Sequence, residues 1–123
     1  MTLDLQIEQR EGYLYLKFNE PIEMSEFRKT MDQIYSNLCE YEYSKVLLDF
    51  CDFDLTAFTV RKRIVAAMIM FDVFKYISNI KIAAYMNRND YNGIIKKYAN
   101  MNGFNLEMFF TENEAVEWLK KEP

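Results

Sequence analysis

Lys45-Val-Leu-Leu-Asp-Phe-Cys-Asp-Phe-Asp-Leu-Thr56 is a short apolar run that ends in an acidic turn. The run Val46–Phe50 is almost unbroken by polar residues, which is typical of a strand covered on both faces. Residues 57–76 contain no Gly or Pro and keep apolar side chains at helical spacing, which predicts a long helix. A strand that feeds directly into a helix is half of a βαβ crossover, so we expect a sheet at the centre of the molecule.

The residues before this stretch predict a hairpin and a helix. Leu5 and Ile7 alternate with polar residues, and Gly12 permits a tight turn before a second strand over residues 13–18. Ser25 is the expected N-cap of the helix that follows. The apolar stripe of this helix consists of Phe27, Met31, Ile34, Tyr35 and Leu38.

The residues after the long helix predict two further strand–helix pairs. Lys81–Met86 reads as a buried strand, Asp90 as the cap of the next helix, and Asn102-Gly103 as its end. Residues 104–110 form the last predicted strand, and a capping box from Thr111 to Glu114 begins the last helix. The predicted fold is therefore α/β, a five-stranded mixed β-sheet flanked by about four helices in the order β-β-α-β-α-β-α-β-α. Right-handed crossovers would make the later strands parallel.

Composition narrows the class of protein. We expect one domain spanning residues 1–123, since a chain of 123 residues has the commonest domain size and is long enough to bury a core. A net charge of −4 argues against a nucleic-acid partner. The absence of a signal peptide and of a membrane-length apolar run predicts a cytoplasmic protein that is not membrane-embedded. Histidine is absent and the two cysteines form no metal-ligand spacing, which argues against an enzyme.

The order of elements resembles that of the SpoIIAA-like, or STAS-like, superfamily. The segments that carry the likeness are residues 45–49 leading into a long helix, Lys81-Ile-Ala-Ala, and the ending Phe109-Phe-Thr-Glu-Asn-Glu-Ala-Val-Glu-Trp-Leu119. Within that superfamily, the chain looks like the small stand-alone bacterial proteins described as STAS/SEC14-like. The resemblance implies a mixed sheet flanked by helices and a non-enzymatic role in binding a partner or ligand.

One family feature is absent from this chain. The anti-sigma factor antagonists of the superfamily carry a phosphorylatable serine, typically in an Asp-Ser-Ser-Gly motif, at the start of the helix after the third strand. This chain has Asp54-Leu55-Thr56-Ala57 there, so Thr56 or Thr59 would be the nearest hydroxyl.

Asp49, Asp52 and Asp54 cluster after the predicted central strand, where open α/β sheets bind ligands. One interpretation is a Mg²⁺ site serving a carboxylate-dependent enzyme, because hard cations take carboxylate oxygens. The other is that Asp54 or Thr56 caps the long helix while the remaining aspartates are solvated. We favour the second interpretation, because neither calcium-loop spacing nor a phosphate-binding glycine loop accompanies them. We predict no metal site, catalytic residue or cofactor.

The cations Arg61, Lys62 and Arg63 lie in the opening turns of the long helix, where they face the positive end of its dipole. Local pairing with Asp52 and Asp54 would offset this cost, and so would an anionic ligand or an acidic partner. Arg88 would project near the same place if the two strands are neighbours. The predicted binding residues are Asp52, Asp54, Thr56, Thr59, Arg61, Arg63 and Arg88.

The long helix also carries a second apolar stripe, consisting of Ala66, Ile69, Met70, Val73 and Ile77. A helix that is apolar on both sides must be covered on both. The chain itself, a homodimer partner or an apolar ligand would each provide that cover.

These patterns support a cytoplasmic, non-catalytic interaction or regulatory module. It would self-associate through the second stripe and dock a protein partner or a small anion near the turn that follows the central strand. The alternatives are a binder of an apolar or lipid-like ligand and, third, the carboxylate- and metal-dependent enzyme.

Overall fold

A computed structural model describes residues 5–18, 24–52, 59–88 and 93–121. The elements in these ranges follow the predicted order. They are β1 (Leu5–Arg10), β2 (Tyr13–Phe18), α1 (Met24–Tyr41), β3 (Lys45–Asp49), α2 (Val60–Phe74), β4 (Lys81–Tyr85), α3 (Ile94–Met101), β5 (Asn105–Phe109) and α4 (Glu112–Lys120).

The strands form one mixed sheet in the spatial order β1-β2-β3-β4-β5. β1 and β2 are an antiparallel hairpin that turns at Gly12, whose φ of 84° is a conformation that favours glycine. The pairs β2–β3, β3–β4 and β4–β5 are parallel. The five-stranded mixed fold predicted from the sequence is confirmed.

Helices cover both faces of the sheet. Side chains of α1, α2 and α3 share one apolar cluster with alternate residues of the strands. Each of their three crossovers advances by one strand in the same direction, so a constant hand of connection places all three on the same face. Ala115 and Leu119 of α4 pack with Tyr13, Leu47 and Ala83 in a second cluster on the opposite face.

β3 contributes to both clusters, as its apolar run predicted. Val46 and Leu48 face the three-helix side, whereas Leu47 faces α4. All three side chains are buried. Three consecutive residues of this strand are apolar because neither of its faces meets water.

Three helix starts differ from the predictions. α1 begins at Met24, so Ser25 lies inside its first turn rather than at the N-cap. α2 begins at Val60 with Thr59 as its N-cap, not Asp54 or Thr56, and the Thr59 hydroxyl accepts a hydrogen bond from Lys62 N. Gly93 is the N-cap of α3. The predicted cap Asp90, like residues 53–58, lies outside the described ranges.

The end of α3 is confirmed at Asn102-Gly103. Phe104 N donates to Ala99 O (2.9 Å) and Gly103 N to Asn100 O (3.2 Å), the paired bonds of a Schellman motif. Gly103 has a φ of 81°, which explains why a glycine stands here. The motif directs Phe104 back onto the apolar cluster of the three helices.

α4 is held at both of its ends. At its start, the Thr111 hydroxyl accepts from Glu114 N (3.3 Å), which is the Thr111 half of the predicted capping box. The Glu114 carboxylate accepts from the Thr111 hydroxyl (2.8 Å). At its end, the buried Lys81 ammonium donates to Trp118 O and to Lys121 O (2.9 Å). A cation bonded to these carbonyls complements the negative end of the helix.

No helix within the described ranges combines the length and the hydrophobicity that crossing a bilayer requires.

Candidate functional site

β3 and β4 are parallel neighbours, so their carboxyl ends lie side by side, which is the condition under which Arg88 was expected near the acidic turn. Phe50 N donates to Tyr85 O (2.8 Å), and the Asn87 side chain donates to Cys51 O (3.0 Å). Two hydrogen bonds therefore fix the chain segments that leave the two strands. We refer to residues 49–52 and 85–88 as the edge site, and we include under this name the first turn of α2, which is the next described segment of the chain after residue 52.

Asp49 lies inside the edge site and is only 5% exposed. Its carboxylate accepts hydrogen bonds from the buried Tyr15 hydroxyl and from Cys51 N (2.9 Å). The expectation that Asp49 is solvated is therefore wrong. The side chains of Asp49 and Leu47 lie on the same face of β3. This is the face of the sheet on which Tyr15 and α4 also lie.

The hydroxyl and thiol groups around Asp49 hold their protons firmly. Burial raises the pKa of the Tyr15 phenol, and the bond to Asp49 raises it further. Burial also raises the pKa of the Cys51 thiol. The pKa of Tyr85 is raised to about 12, mainly by a hydrogen bond with Cys51 and secondly by burial. Since thiolates and phenolates are the reactive forms, these groups are structural rather than nucleophilic.

We expect iodoacetamide at pH 8 to alkylate Cys51 at least several-fold more slowly than the exposed Cys39. The reason is that Cys51 is partly buried and its raised pKa leaves little thiolate. Peptide mass spectrometry over time measures both rates in one sample, and 8 M urea serves as the control that should bring them together. Equal rates in the folded protein would contradict the assignment.

Asp52 forms a different ion pair from the predicted one with the cations of α2. Asp52, whose side chain is 59% exposed, pairs with Lys17 of β2 (2.9 Å), and this bond raises the pKa of Lys17. Sequence reasoning placed Asp52 against the cations of α2 and missed Lys17. The register of β2 and β3, which sets Lys17 beside Asp49, supplies the missing information.

The structure describes five of the seven predicted binding residues. Thr59 and Arg61 are exposed at the first turn of α2, and Arg63 is half-buried one turn further on. The guanidinium of Arg88 lies over the Phe110 ring at 4.3 Å. Asp54 and Thr56 lie outside the described ranges.

The residues described around the edge site include no group of three carboxylate or thiol side chains that could hold a metal ion. Asp49 uses its oxygens for protein donors, and Asp52 is paired with Lys17.

The second stripe of α2 is covered largely by the chain itself. Ala66, Met70 and Val73 are buried, while Ile69 and Ile77 are partly buried against the three-helix cluster. Internal cover, one of the three explanations open to the sequence, accounts for most of this stripe. Different α2 residues remain exposed, namely Val60, Val65 and Met68.

A groove of about 520 Å³ runs along α2 where it meets α1 and α3. We call it the α2–α3 groove. Its lining residues are Arg28, Val65, Met68, Ile69, Phe71, Asp72, Lys75, Tyr98, Asn102 and Phe104.

Comparisons with known proteins bear on the fold. No protein-family model matches the sequence, and no curated protein matches it significantly. Among solved structures, an anti-sigma factor antagonist from Mycobacterium paratuberculosis is similar at 10% identity and a TM-score of 0.61, with 98% of this chain and 96% of that chain covered. Unphosphorylated SpoIIAA, also an anti-sigma factor antagonist, is similar at 9% identity and a TM-score of 0.61, covering 96% and 99%.

A third structure is a DUF3478-family protein from Shewanella loihica PV-4 described as having a SpoIIAA-like fold. It is 14% identical with a TM-score of 0.63, and the match covers 95% of this chain and 93% of that one. All three similarities extend over nearly the whole of both chains, and identity this low carries information on the fold alone. The protein therefore has the SpoIIAA-like, or STAS-like, fold.

Proposed function

We propose that this protein is a non-catalytic cytoplasmic interaction module of the STAS-like type that docks a protein partner or a small anion at the edge site. The exposed cations in the first turn of α2 are the observation that carries the proposal. Arg61 and Lys62 are both exposed. The described carboxylates nearest to them in sequence, Asp52 and Asp72, pair with other cations.

The chemistry of the edge site supports binding rather than catalysis. Asp49 accepts a hydrogen bond from Cys51 N, and the side chains of Cys51 and Tyr85 are hydrogen-bonded to each other. The pKa values of Cys51 and Tyr85 are raised away from neutrality. A general base or nucleophile would need a pKa close to the working pH. Cations on a rigid helix turn, in contrast, suit recognition of a carboxylate or phosphate.

The structural neighbours support the same class of function by analogy. Two of them are anti-sigma factor antagonists, whose name describes regulation of another protein. The fold itself hosts binding in those proteins, but function has to be argued from the site. Self-association has weaker support here, because three of the five side chains assigned to it are buried within the chain.

Charge reversal at the first turn of α2 tests the docking proposal. We expect R61E/K62E to lose a partner that co-purifies with the wild-type protein from its native cells. The control K29E/K120E makes the same charge change at exposed lysines of α1 and α4 and should retain it. Quantitative mass spectrometry compares the three samples.

The small-anion form of the proposal is tested with inorganic phosphate in ¹H–¹⁵N NMR spectra. Wild-type amide signals of residues 59–63 should shift on titration, and those of R61E/K62E should not. The proposal fails if the same proteins accompany all three forms and phosphate moves none of these signals.

A binder of an apolar ligand is the second candidate, because the α2–α3 groove has a volume within the range of small-molecule sites. The groove is open to solvent, whereas such sites enclose most of their ligand. Native mass spectrometry of protein purified from cells should show a constant mass increment if this candidate is correct. A bare mass in every preparation would argue against it.

A further inference from the structure

Five large apolar side chains of the described residues are exposed, and two of them, Val65 and Met68, line the same groove. The five are Val60, Val65, Met68, Tyr76 and Met101. Four lie on α2 and the turn after it, and the fifth ends α3. Exposed apolar side chains that lie together, as Val65 and Met68 do, mark an interaction surface more often than scattered ones do.

The α2–α3 groove gives this surface a defined shape. Its floor is a stack of three aromatic rings, with Phe71 at 5.7 Å from Tyr98 and at 4.4 Å from Phe104 between ring centroids. Val65 and Met68, which are 38% and 51% exposed, form its outer wall. An open trough between two helices, with a fixed aromatic floor, suits the apolar face of a third helix.

The charges around the groove are mainly positive. Arg28 and Lys75 both pair with Asp72, at 3.1 Å each, so this end keeps an excess of one cation. A neighbouring hollow of about 450 Å³ on α3 is lined by Lys96, Lys97 and Met101. Lys96 also pairs with Glu107 (2.6 Å) at the edge of the sheet.

The distribution of charge around the α2–α3 groove indicates which kind of partner would bind there. The charged side chains that line the groove and the hollow are four cations and one carboxylate. Because Glu107 pairs with Lys96, this surface keeps an excess of two positive charges on a chain whose net charge is −4. Two copies meeting through this surface would bring cations against cations. An acidic partner would instead be attracted to the positive rim and repelled by the remaining surface, which favours docking in this one place.

We propose that the α2–α3 groove binds an acidic amphipathic helix of another protein. The apolar face of that helix packs on Met68, Val65 and the aromatic floor, and its carboxylates meet Lys75, Lys97 and Arg28. This surface is separate from the edge site, so neither proposal depends on the other.

Synthetic helices of defined charge test the proposal. The first probe is a fluorescein-labelled 20-residue peptide with Leu at helical i, i+3, i+4 and i+7 spacing and Glu on its other faces. The second has Lys for every Glu, and the third has Ser for every Leu. We expect fluorescence anisotropy to show binding of the first at least ten-fold tighter than that of either control.

Three protein variants locate the binding. M68E should weaken binding of the Glu/Leu peptide at least ten-fold, and K75E/K97E should weaken it several-fold and reduce its salt dependence. K120E changes one charge on α4, across the sheet, and should bind like the wild type. Met68, Lys75 and Lys97 are exposed, so circular dichroism melting should show that the variants fold.

Equal affinity for the Glu/Leu and Lys/Leu peptides would overturn the proposal, and so would unaltered binding by M68E. Light scattering after size exclusion adds an independent outcome. A wild-type dimer that becomes a monomer in M68E would assign this surface to a second copy of the chain and would also overturn the proposal.

Discussion

Replacing Lys81 with Met is expected to lower the free energy of unfolding by about 2 to 3 kcal/mol, because it removes charge-assisted hydrogen bonds to two backbone carbonyls at the end of α4. Lys81 is 5% exposed, and its ammonium donates to Trp118 O and Lys121 O. The same ammonium lies 4.5 Å from the centre of the Trp118 ring. Met fills a similar volume, so packing is kept while the donors are lost.

The loss should be greatest in α4. Urea denaturation measures the overall change, and hydrogen exchange should show that amides of residues 115–120 lose protection before those of β3. K45M is the matched control, because Lys45 pairs with Lys81 in the register of β3 and β4 but is only half-buried. A K81M protein as stable as K45M would show that the bonds to α4 contribute nothing net.

Replacing Asp49 with Ala is expected to cost about 3 kcal/mol of unfolding free energy. The substitution leaves the buried Tyr15 hydroxyl without its acceptor and removes the acceptor of Cys51 N. An unsatisfied buried donor costs about 1–3 kcal/mol, and hydrogen bonds to charged groups are worth about 1.5–3 kcal/mol. The control D52A removes an exposed ion pair with Lys17 and should cost less than about 1 kcal/mol.

A double-mutant cycle separates the Tyr15–Asp49 bond from the other effects of D49A. Y15F, D49A and Y15F/D49A should show a coupling free energy of about 1–3 kcal/mol in urea denaturation. Coupling within error of zero, or a D49A cost no larger than that of D52A, would contradict the buried hydrogen bond.

The sheet was predictable because its strands carry local signals. β3 is apolar on both faces, Gly12 marks the hairpin turn, and Thr111 with Glu114 marks the start of α4. Each of these signals involves residues only a few positions apart, so it can be recognised in the sequence without knowledge of the tertiary structure. The SpoIIAA-like arrangement follows from their order.

The polar contacts were less predictable, because their partners are distant in sequence. Asp49 and Tyr15 are 34 residues apart, and Lys81 and Trp118 are 37 apart. Whether such groups meet depends on strand register and on which face α4 covers, which a single sequence does not encode locally. For the same reason, the second apolar stripe of α2 indicated that something must cover this side of the helix. It did not indicate that the chain itself covers most of it.

Strand order in the sheet equals strand order in the chain, and this has a consequence during synthesis. As the nascent polypeptide leaves the ribosome, each new strand finds its neighbour already formed, so the sheet can grow without waiting for a distant segment. The face that Tyr13, Leu47 and Ala83 present to α4 is different, because Ala115 and Leu119 emerge after all the strands. Until then the growing sheet has one uncovered apolar face, and exposed apolar surface of this kind is prone to aggregate.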